Sequence, residues 1–277
     1  MPSSTRPMSP SATLSATLSA TLAATLAATA IAGSLLATSS LADTLRLGTE
    51  GAYPPFNFIE SNGEIGGFDV DIGLELCKRM GEECEVVAQD WDGIIPGLLA
   101  NKYDFIIASM FITEERKEQV AFSDPYYLAA MSHVVPKDSD IAEFTDEALA
   151  DKVIGAQSGT TQADYAEAVY PSADIRLYPT QDEVNLDMAS GRIDLQVGDL
   201  LPLLDWTTKT EDGACCELGG EPITDPQFVG EGVGIAVRQE DEELREKLNA
   251  ALAEIREDGT YRTINDKYFE IDVYTMQ

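Results

Sequence analysis

Lys152-Val153-Ile154-Gly155-Ala156-Gln157-Ser158-Gly159-Thr160-Thr161-Gln162-Ala163-Asp164-Tyr165-Ala166-Glu167-Ala168-Val169-Tyr170-Pro171 packs a strand, a turn and a helix into one run. Lys152 to Ala156 is a short apolar segment of strand type. Ser158-Gly159-Thr160-Thr161 supplies a turn and hydroxyls that cap a helix, predicted over Gln162 to Tyr170 and stopped by Pro171. Outward from this unit, Ile175 to Tyr178 and Asp194 to Val197 read as strands around a helix at Asp182 to Ser190. The same alternation runs earlier: Leu45 to Thr49 (strand), Phe68 to Met80 (helix), Glu85 to Gln89 (strand), Asp92 to Asn101 (short helix) and Asp104 to Ser109 (strand). Gly232 to Val237 is a further strand. Helices at Glu242 to Glu257, ended by Asp258-Gly259, and at Tyr261 to Phe269 close the chain. Such alternation predicts an α/β protein of two units, each a mostly parallel sheet flanked by helices, with ligands at the carboxyl ends of the strands.

The chain of 277 residues is long enough to bury a core without staples, and its 44% hydrophobic and 24% charged content is near the globular average. Its charge is far from average: 49 acidic against 18 basic residues give a net charge of −31. That balance excludes a nucleic-acid footprint and disfavours an anionic membrane surface, and it suits cationic small molecules. Solubility in a saline medium is the plainer reason for the bulk of it.

From Pro7 to Ala42 there is no charged residue. Arg6 precedes this Ser/Ala/Thr/Leu-rich stretch, and Ser40-Leu41-Ala42 offers small residues for cleavage before Asp43, so residues 1–42 are expected to be a secretory signal peptide. A membrane anchor is the competing reading, weakened by the Thr and Ser content. Cysteine usage fits export. Cys77, at the end of a predicted helix, and Cys84, at the start of a strand, can close a small disulfide loop. Cys215 and Cys216 are open to a vicinal disulfide, an intermolecular bond or two thiols in a Gly-rich loop. With His133 as the single histidine, zinc is a poor fit, and no metal or cofactor is implied.

Several segments taken together resemble the periplasmic solute-binding proteins of polar amino-acid ABC transporters, in particular the lysine/arginine/ornithine, histidine and opine branch. They include Gly48-Thr49-Glu50-Gly51-Ala52-Tyr53-Pro54-Pro55-Phe56, Gly67-Phe68-Asp69-Val70-Asp71, Trp91-Asp92-Gly93-Ile94-Ile95-Pro96, Ile112-Thr113-Glu114-Glu115-Arg116, Ser158-Gly159-Thr160-Thr161 and Ser190-Gly191-Arg192-Ile193-Asp194. The resemblance implies a two-lobed, type II binding-protein fold with a two-strand hinge. Residues 43–130 and 229–277 would form lobe one and residues 131–228 lobe two. It implies a non-catalytic, monomeric, periplasmic protein that captures a basic amino acid and hands it to membrane permease subunits.

By the same resemblance Arg116 would grip the ligand carboxylate, with Gly159, Thr160 and Thr161 at a helix start assisting. Asp199 and Ser109 would accept from the α-ammonium. Tyr53 and Trp91 would sandwich the side chain, and Glu50 would face its distal cation. Met110, Phe111 and Gln157 complete the expected lining. Phe111 and Ala108 stand where the family often has Ser, and Gln157 where basic-amino-acid binders are usually apolar, so an opine or a neutral amino acid is the alternative ligand. A dehydratase-like enzyme and a sensory subunit are the competing classes. Against the enzyme, no nucleophile and base are assembled in the sequence, and His133 falls at the expected hinge.

Overall fold

The computed structural model describes residues 44–276. The expected signal peptide, residues 1–42, lies outside the described residues. Two five-stranded sheets organise the rest. The first runs in the order Cys84–Ala88, Leu45–Thr49, Phe105–Ile106, Ala236–Val237, Ala121–Phe122. Its first three strands are parallel, and Ala236–Val237 is antiparallel to both of its neighbours. The second has the order Asp174–Tyr178, Val153–Gln157, Leu195–Asp199, Met131–Pro136, Cys216–Ile223, with the last two antiparallel to their neighbours. Two chain segments therefore pass between the sheets, one before Met131 and one after Ile223. They are drawn together where Val233 bridges both Phe111 and Tyr127. This is the two-lobed α/β architecture expected from the alternation of elements.

The helices form where one apolar face meets a sheet. Phe68–Met80 buries Phe68, Ile72, Leu76 and Cys77, and ends at Gly81 in a left-handed cap. The Cys77–Cys84 disulfide then ties this helix to the edge strand, with Cα atoms 6.1 Å apart. Glu242–Glu257 buries Leu248, Ala251, Leu252 and Ile255 on one side and keeps its charges on the other.

Three expectations are corrected. The strand expected over Asp104 to Ser109 is confined to Phe105–Ile106, because Ser109 takes φ 54° and its N–H turns to the Tyr126 hydroxyl. The segment after Cys215 is the strand Cys216–Ile223 rather than a loop. Its glycines admit the Phe144 ring, which a Cβ at Gly219 would meet at 2.6 Å. Cys215 and Cys216 are joined as a vicinal disulfide at the start of that strand. His133 is not at the crossing between lobes. It pairs with Val197 and Gly219 inside the second sheet, 4.4 Å from Phe144 in a stacked arrangement. The helix Leu200–Lys209 had no counterpart among the sequence expectations. Its Pro202 lies in the first turn, where no N–H is needed.

Candidate functional site

Parallel strands end together, so the loops that follow them converge. Glu50 follows Leu45–Thr49, Trp91 lies just beyond Cys84–Ala88, and Ser109 and Phe111 come after Phe105–Ile106. From the second sheet, Gln157 and Asp199 are the last residues of their strands. These residues, with Tyr53, Ala108, Arg116, Thr160, Gln162 and Gln181, line a small cavity between the sheets. Four hydrogen bonds close one sheet over the other. Tyr53 OH donates to Asp199 Oδ2 (2.7 Å), Gln157 Nε2 to Glu50 Oε1 (2.7 Å), Trp91 Nε1 to the Gly159 carbonyl (2.9 Å), and Ser158 Oγ to Asp92 Oδ1 (3.0 Å).

Of the residues singled out in the sequence, Glu50, Tyr53, Trp91, Ser109, Phe111, Arg116, Gln157, Thr160 and Asp199 all line this cavity. Met110 does not; its side chain packs in the core beneath the first sheet with Ile94 and Leu98. Gly159 sits at the rim with φ 66°, where a Cβ would crowd Asp92, and contributes its carbonyl to Trp91. Thr161 opens the helix Thr161–Val169 and faces the adjoining groove beside Phe228. Thr160 is the helix cap, its hydroxyl accepting from the Ala163 N–H at 3.2 Å.

Charges of both signs line the cavity. Arg116 is only 9% exposed, held by donation from Nη1 to the Phe111 carbonyl (3.0 Å) and lying 5.3 Å over the Trp91 ring. Burial lowers its pKa to about 10, against the opposing pull of Asp164, Asp199 and Glu115. The helix starting at Thr161 adds partial positive charge nearby. Asp199 ends its strand and starts a helix without capping it; its carboxylate instead accepts from Tyr53 and Gln162. Burial raises its pKa to about 6, partly offset by those two bonds and by Arg116. Burial raises Glu50 to about 7, with the Gln157 hydrogen bond pulling the other way. These carboxylates in a poorly solvated cleft are matched to a cation that can replace water around them.

The sequence did not disclose the brace behind the cavity. Asp69 is fully buried and accepts from Asn57 Nδ2 (2.9 Å), Ser109 Oγ (3.0 Å) and Tyr126 OH (2.6 Å). Asn57 in turn accepts from the Gly51 N–H at 2.8 Å, beside Glu50. One carboxylate thus fixes both the Glu50 loop and the left-handed backbone at Ser109. Because Asp69 accepts, the Ser109 hydroxyl spends its proton there and offers only lone pairs elsewhere. Gln162 and Gln181 were also not anticipated; no spacing signal marks them.

The family model for bacterial extracellular solute-binding proteins, family 3, matches residues 45–271. The chain belongs to that family. This family 3 protein is 41% identical over 241 residues to an L-arginine-binding protein of Pseudomonas aeruginosa, covering 86% of this chain and 93% of that relative. It is 40% identical over 240 residues to a histidine-binding periplasmic protein of Escherichia coli, covering 86% and 92%. Among solved structures, an ancestral arginine-binding protein bound to arginine superposes with a TM-score of 0.75 at 40% identity, covering 82% of this chain and 98% of that one.

Proposed function

We propose that this family 3 protein is the extracytoplasmic, non-catalytic binding component of an ABC importer and captures a basic amino acid in the interlobe cavity. The observation that carries the reading is the set of charges lining one cavity: Arg116, which lies 5.3 Å over Trp91, Asp199, hydrogen-bonded to Tyr53, and Glu50, hydrogen-bonded to Gln157. A free amino acid brings a carboxylate and an ammonium, and burying both needs a partner for each. Arg116, with its planar fork, takes the carboxylate. Asp199 takes the α-ammonium, helped by the acceptor oxygens at Ser109. Glu50 takes a second positive charge on the side chain, between aromatic faces that favour cations.

Relatives named for arginine and histidine binding, one of them periplasmic, support the ligand class and an exported location after removal of residues 1–42. Residues 43–130 with 229–277 then act as one lobe and 131–228 as the other. They close on the ligand as a monomer and present it to the permease.

A thermal-shift screen of the protein, unfolded and refolded to strip carried-over ligand, tests this. Arginine, lysine, ornithine or histidine at about a hundred times its Kd should raise Tm by several degrees, equivalent to roughly 2.7 kcal/mol. Shifts with neutral or acidic amino acids and none with basic ones would refute it.

A further inference from the structure

Gln157 lines the cavity with Glu50, and its hydrogen bonds decide which of its atoms a ligand meets. Gln157 Nε2 donates to Glu50 Oε1 at 2.7 Å and to the Pro179 carbonyl at 3.1 Å. Both partners are acceptors, so turning the amide round would set oxygen against oxygen. The Gln157 side chain is 4% exposed. With both amide hydrogens spent, what Gln157 has left for a ligand is its Oε1, which meets no donor among the described residues. Beside the remaining oxygen of Glu50, this makes a wall that accepts hydrogen bonds and donates none.

We propose that Gln157 is a specificity-determining residue that commits the cavity to a guanidinium side chain over a primary ammonium. The inference rests on the basic-amino-acid reading above and narrows it. Gln157 spends its nitrogen on Glu50, so its own oxygen is held an amide's width to the side of that carboxylate rather than converging with it. Acceptors spread along a line match the planar fork of a guanidinium, which carries five N–H donors. An ammonium is a point donor; it can satisfy Glu50 but leaves a buried carbonyl oxygen unmatched, which is costly. Citrulline has the outline of arginine but brings a carbonyl oxygen and no charge to a wall of oxygens.

The test is a calorimetric series of arginine, lysine, ornithine and citrulline against the wild type and Gln157→Leu. The wild type should bind arginine at least about tenfold tighter than lysine and ornithine, and about a hundredfold tighter than citrulline. Gln157→Leu should weaken arginine most and bring the arginine-to-lysine ratio to within about threefold of one. Equal arginine and lysine affinities in the wild type, or an unchanged ratio in the variant, would overturn the assignment while leaving a basic-amino-acid binder in place. Failure of all three basic ligands to bind would overturn both readings. Should Gln157→Leu not fold, Gln157→Ala is read in the same series against the same two criteria.

Discussion

At the scale of single residues, the proposed function gives Glu50 the discrimination between charged and neutral ligands, and its surroundings would make that discrimination depend on pH. In the closed cleft burial lifts its pKa to about 7; a cation against it would pull the value back down. A complex with a neutral ligand therefore holds a proton on Glu50 below pH 7, whereas a complex with arginine does not. Acidification thus favours the neutral complex, and the affinity ratio of arginine to citrulline should fall about tenfold between pH 8 and pH 6. Parallel titrations at the two pH values measure it, and Glu50→Gln should make the ratio independent of pH. A ratio that rises on acidification, or stays flat in the wild type, would remove Glu50 from its role.

Legibility also divides by residue. Glu50, Trp91, Gln157 and Asp199 are marked by the family resemblance, and the strand pattern adds only that each lies at or just past the end of a parallel strand. Asp69 could be seen only as part of a motif. Its partners Asn57, Ser109 and Tyr126 are brought to it by the tertiary fold, and no local spacing encodes that meeting.

At the scale of elements, periodicity succeeded where one face of a helix is apolar and failed where tertiary packing sets the conformation. The helix Glu242–Glu257 matches its expectation end to end, since its charged and apolar faces separate cleanly. The strand Cys216–Ile223 hid behind Gly219 and Gly220, which exist to admit Phe144. Leu200–Lys209 hid behind Pro202 and an apolar run too short to assign by period.

The Cys77–Cys84 bridge joins the end of one helix to the start of a strand whose other end faces the cavity. Replacing both cysteines with serine should lower stability by roughly 2–3 kcal/mol on the chain-entropy estimate and leave ligand affinity within about twofold. Denaturant unfolding and a parallel titration check the two halves. An unchanged midpoint, or affinity lost in proportion to stability, would contradict this separation of scaffold from site.

For the whole molecule, the net charge of −31 sets a background repulsion that the surface ion pairs, most of them part-exposed and local in sequence, offset only weakly. Raising sodium chloride from about 0.02 M to about 0.5 M shortens the Debye length from roughly 20 Å to a few ångströms and should raise Tm at pH 7.5. A fall in Tm would mean that attractive pairs outweigh the repulsion.

The same scale holds the central claim, that two sheets close over a cavity whose charges are complementary to a basic amino acid. It is met most directly by calorimetric titration of arginine and of glutamine into the refolded protein at pH 7.5. The account predicts arginine bound at micromolar Kd or tighter, about −8 kcal/mol or better, and glutamine at least a hundredfold more weakly. Glutamine bound as tightly as arginine, or no heat from arginine at all, would contradict it.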